Sequence, residues 1–484
     1  MDATSCEEKR YLLATKQSLK MYVDRSLCEE TSPILQTDEN CKHIQILGDS
    51  NKPRRSLSKI ETFIHFLKGT IGLAILCLPW SLKFSGLLIG PIGIVVMASI
   101  AVAGMYGIVC CSRVLCQRTG QSSLDFGAVA YEASLPYSEM LGRYFRMAVN
   151  IFLVITQFGL CCDYILFISQ QLILILEACG ISFDGLSTID RDRIMIAAIG
   201  IPMVVSALIR NLDDFTFLSL TANIALTVSV FVILCFTFTH LNLTEPGYGG
   251  RIKDLPFAAS VSSLPLFFGT VAFSFENIGA VLPTENKMKQ PKAFTWVFLS
   301  ASVLVIALSA LTAVMGYLTF GDNIKPVLIL NLPLNGKLSW LFSVSQLLYI
   351  YAIYVSYLIQ FYILMTIVEP SVLNWATRQQ WRQPNIASYA LRIGTMLLAV
   401  LATLAIPRLS LFLPLVGAIG CGALAFIFPP IIFLLTFHSE LALRSCLVST
   451  LVKIVCIAVS VMGVLGSILC VYASVEKILE FYRQ

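Results

Sequence analysis

Glu276 and Asn277 stand side by side in Phe273-Ser274-Phe275-Glu276-Asn277-Ile278-Gly279, inside a stretch apolar enough to cross a bilayer, with Pro283 following. A carboxylate is expensive at membrane depth, and an ionisable residue there is functional by default. A second interruption lies far upstream, where Gly69-Thr70-Ile71-Gly72 falls in FLKGTIGLAILCLPW. Each glycine weakens a helix by about 1 kcal/mol relative to alanine. Freed backbone groups in lipid persist only where they line a cavity or find partners. Taken alone, the glycines read equally well as close helix packing. Glu61, His65 and Lys68 follow at i, i+4 and i+7, on one helix face. Histidine, with an unperturbed pKa of about 6.5, is suited to carrying a proton between an acid and a neutral compartment. Lys68 either pairs with an acid such as Glu276 or snorkels to the interface. Asp163, in GLCCDYILF, is either a cavity residue or the partner of a buried donor. Phe273 and Phe275 either cap a ligand's side chain or pack as ordinary core.

The elements that must position these residues are membrane helices. The chain has 484 residues, 57% hydrophobic and only 13% charged, with a mean hydropathy of +0.79. A soluble protein carries roughly twice that charged fraction. About 20 mostly apolar residues make a span, and eleven stretches qualify: 61–85, 88–114, 147–177, 193–210, 216–240, 262–284, 295–319, 338–368, 387–406, 409–437 and 449–475. The fold class expected is therefore an all-α polytopic membrane protein. Residues 1–59 form a largely disordered cytoplasmic tail, 60–476 the transmembrane domain and 477–484 a short exterior tail.

Basic residues orient the spans. Lys52, Arg54, Arg55 and Lys59 precede the first; Arg113, Arg118, Arg143 and Arg146 follow the second; Lys287, Lys289 and Lys292 follow the sixth; Arg378 and Arg382 follow the eighth. These loops lie inside by the positive-inside rule. The sequon Asn242-Leu243-Thr244 then falls on the exterior side. No apolar segment near Met1 marks a signal peptide. The net charge of +5 is small and no basic aromatic surface accompanies it, so nucleic acid is not a partner. Most of the fifteen cysteines lie in apolar runs, as small packing residues. No CxxC pair, HExxH or nucleophile motif occurs in context, so neither a metal, a cofactor nor an enzyme is expected. Gly417, Gly420 and Gly422 read as helix packing, and Pro429-Pro430 as a kink in the tenth span.

The two interruptions fall in spans one and six. Paired breaks at matching places in two halves point to a transporter with inverted repeats. Half-helix N-termini favour a carboxylate and exposed carbonyls an ammonium. A zwitterion offers both groups, so an amino acid is the natural ligand. At IHFLKGTIG (64–72), PLFFGTVAFSFENIGAVLPTENKM (265–288), LNLP (330–333), IQFY (359–362) and IPRL (406–409), the chain resembles the proton-coupled amino acid transporters of the amino acid/auxin permease superfamily. The resemblance covers roughly 60–475. It implies a leucine-transporter-like five-plus-five inverted repeat with helices 1 and 6 broken. It also implies symport of small neutral amino acids with protons across a plasma or endolysosomal membrane. On the matching positions, Gly69, Thr70, Ile71, Gly72 and Phe273 to Asn277 would bind substrate. His65 would couple protons, as Glu276 would by its place in the break. Thr70 stands where asparagine is usual, Asn277 where glycine is usual, and Asp163 where an apolar residue is usual. The family's exterior disulfide lacks its second cysteine here, since 320–337 has none; Cys179 stands near the first loop. Two other classes remain open: an amino-acid sensor with little net flux, and a sodium-coupled carrier. Glu8-Lys9-Arg10-Tyr11-Leu12-Leu13 fits an acidic dileucine signal, for which sorting adaptors would be the partners; Glu30 to Leu35 is a looser version.

Overall fold

A computed structural model describes residues 57–70, 73–181, 183, 185–210, 215–241, 255–334, 338–379, 384–443 and 445–483. Arg55–Gln484 forms one compact unit. Residues 1–54 lie wholly outside the described residues, together with both dileucine patterns; the Asn242 sequon lies outside them too.

Lipid offers backbone groups no partner, so a spanning chain must satisfy them within helices. The described residues are helical accordingly. Their one β feature is an isolated parallel bridge between Leu57 and Met288. In order, the helices are α1 Lys59–Thr70, α2 Leu73–Ser85, α3 Ile89–Thr119, α4 Phe126–Ser134, α5 Glu139–Ala178, α6 Thr188–Ser206 and α7 Phe215–Thr239. There follow α8 Leu264–Phe275, α9 Ile278–Asn286, α10 Phe294–Phe320, α11 Ser339–Arg378, α12 Pro384–Ala405, α13 Leu409–Val416, α14 Phe428–Thr436, α15 His438–Leu443 and α16 Cys446–Arg483.

Nine helical stretches among the described residues are long and apolar enough to span, with Val261–Asn286 counted as one. The two remaining expected spans fall short for different reasons. The first is described as α1 and α2, with Ile71 and Gly72 between them outside the described residues. The fourth, α6, carries Asp190, Arg191, Asp192 and Arg193 in its first turns. The last helix, α16, runs on through the expected tail to Arg483.

Burial sorts the spans into inner and outer. The tenth, Leu409–Thr436, has 78% of its apolar window buried, whereas α16 has 11%. Spans six and three are also mostly inside. The inner three meet backbone to backbone. A Cβ on Gly417 would overlap the Gly269 carbonyl oxygen, and one on Gly420 would overlap the Thr156 hydroxyl. Small residues permit that approach. The kink expected at Pro429-Pro430 takes another form. Span ten widens into π turns at Gly417–Cys421 and Ala423–Ile427, and α14 then starts with the two prolines in its first turn. Proline removes an i→i−4 bond and pushes away the carbonyl behind it, which accounts for the wide turn just upstream.

Candidate functional site

Span six is interrupted as expected, over fewer residues. Ser274 and Phe275 belong to α8. Only Glu276 (φ −79°, ψ 109°) and Asn277 (φ −143°, ψ 19°) leave the helix, before α9 starts at Ile278. The C-terminal carbonyls of α8 and the first N–H groups of α9 therefore end at one point, with the Glu276 carboxyl between them. In span one, α1 stays helical through Thr70, so Gly69 and Thr70 are not unwound. Ile71 and Gly72 lie outside the described residues, as do the side chains of His65, Lys68 and Thr70.

The two spans are tied at this level. The Ser274 hydroxyl donates to the Ala74 carbonyl oxygen (3.0 Å), one residue into α2, and also meets Thr270 O at 2.9 Å. That hydroxyl is committed to backbone. Phe273 and Phe275 are buried. The Cβ of Phe273 lies against Gly417 of span ten. Phe275 and Asn277 instead line a cavity of about 30 Å³ with Phe66, Met105, Phe298 and Ser302. Such a volume holds a couple of waters, at about 10–15 Å³ each. Phe66 closes it from α1, edge-on to Phe294 and Phe298 with ring centroids 5.7 and 5.2 Å away.

Glu276 faces elsewhere. Its Oε1 is buried without a hydrogen-bond partner among the described residues. Cys421, in the first π turn of span ten, lies within electrostatic reach of both Glu276 and Asp163. Asp163 on α5 is fully buried, and neither carboxylate oxygen has a partner among the described residues. Tyr349 of α11 is buried with its hydroxyl unpaired, and its ring meets Phe167, one turn along from Asp163, at 5.2 Å. Spans three, six and eight thus each bury a polar atom that has no partner among the described residues.

Each end of the helix bundle carries a group of charged side chains. At the end assigned to the cytoplasm, Arg113 donates to Glu285 at 2.6 Å and to Pro291 O at 3.2 Å. Beside it, Leu57 N donates to Lys287 O (2.7 Å) and Lys289 N donates to Leu57 O (2.9 Å). Glu369 accepts from Arg392 (2.7 Å), from Arg210 (3.0 Å) and from the Ser388 hydroxyl. At the opposite end, a vestibule of about 310 Å³ is lined by Glu177, Arg191, Asp192, Lys325 and Arg408 among others. Arg191 bridges Glu177 (2.6 Å) and Asp192 (3.3 Å), and Arg408 reaches Asp192 at 3.6 Å. Partial burial in this loop holds the Lys325 ammonium below its ordinary value, against the opposing pull of Glu177.

Signals for several of these were present in the sequence. Arg392 and Glu369 are charges in apolar runs, which the rule for intramembrane ionisable residues covers. Ser58 and Glu61 form a capping box at the start of α1: Glu61 N donates to Ser58 Oγ (3.2 Å) and Ser58 N to Glu61 Oε2 (2.8 Å). The S-x-x-E spacing could have shown this, and it gives Glu61 a helix-capping task besides any effect on His65.

Comparison with known proteins adds four observations. Residues 55–473 match the family described as transmembrane amino acid transporter protein. The proton-coupled amino acid transporter-like protein pathetic of Drosophila melanogaster is 27% identical over 393 residues, 78% of this chain and 76% of that protein. The probable amino acid transporter skat-1 of Caenorhabditis elegans is 25% identical over 457 residues, covering 90% and 92%. Among solved structures, the chain aligns with Mhp1, a nucleobase-cation-symport-1 family transporter in a closed conformation with bromovinylhydantoin bound. There the identity is 12%, the TM-score 0.45 and the coverage 90% of this chain and 96% of that one.

Proposed function

This chain belongs to the transmembrane amino acid transporter family, and on that premise we propose that it carries small neutral amino acids together with protons by alternating access. Glycine, alanine and proline are the substrate type. The observation that carries the reading is the two-residue break at Glu276 and Asn277, placed against the start of α2 through the Ser274 to Ala74 bond. Converging helix ends supply N–H groups for a carboxylate and carbonyls for an ammonium. The residues proposed to hold the substrate are Gly69 to Gly72 with Phe273, Phe275, Glu276 and Asn277; Ser274 serves by joining the two spans. The aromatic walls and the small cavity limit the substrate's side chain to a few atoms.

Protons are the coupling ion in this reading, with His65 and Glu276 as carriers. One relative is named as proton-coupled transporter-like, and α1 leads from the capped Ser58 end through His65 to the break. Alternating access then opens one end at a time. Arg113 with Glu285 and the Leu57 bridge close the cytoplasmic end, while the charged vestibule lies at the other. Eleven spans in a five-plus-five inverted repeat fit this cycle, with α1–α2 and α8–α9 as the matched broken elements.

The test is a substrate panel. Purified protein in liposomes is preloaded with unlabelled proline, and counterflow of labelled glycine, alanine, proline and tryptophan is measured. Entry of the three small amino acids with little tryptophan is expected. Binding of proline with no counterflow would identify a sensor instead of a carrier.

A further inference from the structure

We propose that Asp163 is a proton-binding site of the transport cycle, distinct from His65 and from the break in span six. This rests on the transport reading above. Three observations carry it.

First, Asp163 has no relative exposure, and both its carboxylate oxygens are unpaired among the described residues. No basic side chain among those residues acts on it. The reading of Asp163 as partner to a buried donor therefore finds no donor among the described residues. An isolated buried carboxylate is far too costly to persist, so the position requires a bound cation.

Second, its surroundings select which cation. The groups in electrostatic reach are the Cys77 thiol from α2, the Cys162 thiol and Tyr164 from α5 itself, and the Cys421 thiol from span ten. The unpaired Tyr349 hydroxyl from α11 stands beside Cys77. A hard metal cation needs a shell of about six oxygen ligands. Thiols do not supply one, whereas a proton needs a single carboxylate oxygen.

Third, the position is where a proton must be felt. Asp163 shares Cys421 with Glu276, and Cys421 sits in a π turn, the part of span ten least bound to regular helix. Cys77 connects it to α2, the half of span one that Ser274 ties to the break in span six. Uptake and release then occur without any bond to carbon: the carboxylate oxygen gains a proton while the site faces the acid side, and returns it to water when the site faces the other.

The experiment compares the unaltered protein with Asp163→Asn in liposomes. Two quantities are read: proline counterflow at equal pH, and proline accumulation driven by an imposed pH gradient. The asparagine variant is expected to keep counterflow and to lose gradient-driven accumulation by tenfold or more. Accumulation with the original size and pH profile would overturn the proposal. Where Asp163→Asn fails to fold, Asp163→Glu retains the carboxyl. A shifted pH profile in that variant supports the proposal, and an unchanged profile overturns it. Absence of counterflow in the unaltered protein would instead defeat the transport reading itself.

Discussion

Glu369 bears three interactions at once, from Arg392, Arg210 and Ser388, and Arg392 also donates to the Ala207 and Ile209 carbonyls. The cluster fastens α11, α12 and the end of α6 at one level. Replacing Glu369 by leucine leaves Arg392 buried with carbonyls alone, and removing one partner of a buried pair costs about 3–5 kcal/mol. A clear drop in thermal stability in detergent is expected; an unchanged melting temperature would refute this role. Glu276→Gln is the opposite kind of change. It removes a charge that no described side chain needs, so folding and membrane insertion should survive while pH-driven uptake is lost. Full uptake by that variant would reject the coupling role. Glu276 and Asp163 were legible because a carboxylate stands out in an apolar run. That both lie near Cys421 was not, since span ten reaches them only through tertiary packing. The cap formed by Ser58 and Glu61 was legible and was passed over in favour of Glu61's place on the His65 face.

The breaks and the wide turns operate at the element scale. The unwound stretch in span six was legible as a glycine and two polar residues, but its narrowness was not. Ser274 stays within α8, and its hydroxyl meets both Thr270 and Ala74, a partner that lies in another span. In span ten the glycines and prolines were visible, and packing was the right reading for the former. The π turns were not, because helix width responds to neighbours as much as to proline. The contact between Gly417 and the Gly269 carbonyl involves backbone on both sides, which cannot swing away as a side chain can. Gly417→Leu should therefore cost more than the usual 1–3 kcal/mol for overpacking. Gly394, whose surroundings are open, supplies the control, and Gly394→Ala should leave stability unchanged or slightly raised. Equal effects from the two, measured as melting temperatures side by side, would contradict the packing account.

At the scale of the whole molecule, the spaces lined by described residues differ in size: the cavity beside Asn277 is about 30 Å³, too small for an amino acid, while the charged vestibule is about 310 Å³. In the cycle proposed, the Leu57 bridge and the Arg113 and Glu285 pair separate in one phase. Most of the spans were legible from hydropathy. The fourth falls outside the nine because it starts with four charges, and the first because Ile71 and Gly72 lie outside the described residues. For the Glu8 to Leu13 pattern, the sorting reading is a proposal with a direct test: if it directs delivery to endosomes or lysosomes, changing Leu12 and Leu13 to alanine should move the protein to the cell surface. An unaltered distribution in imaged cells would count against that signal. The central claim is proton-driven carriage of an amino acid, and uptake of labelled proline into liposomes across an imposed pH gradient, with sodium fully replaced, tests it most directly. Accumulation should be strong with the outside at acid pH and fade as outside pH rises through about 6.5, the range in which a histidine loses its proton. It should also be abolished by a protonophore. Uptake that requires sodium and ignores the pH gradient would contradict the account.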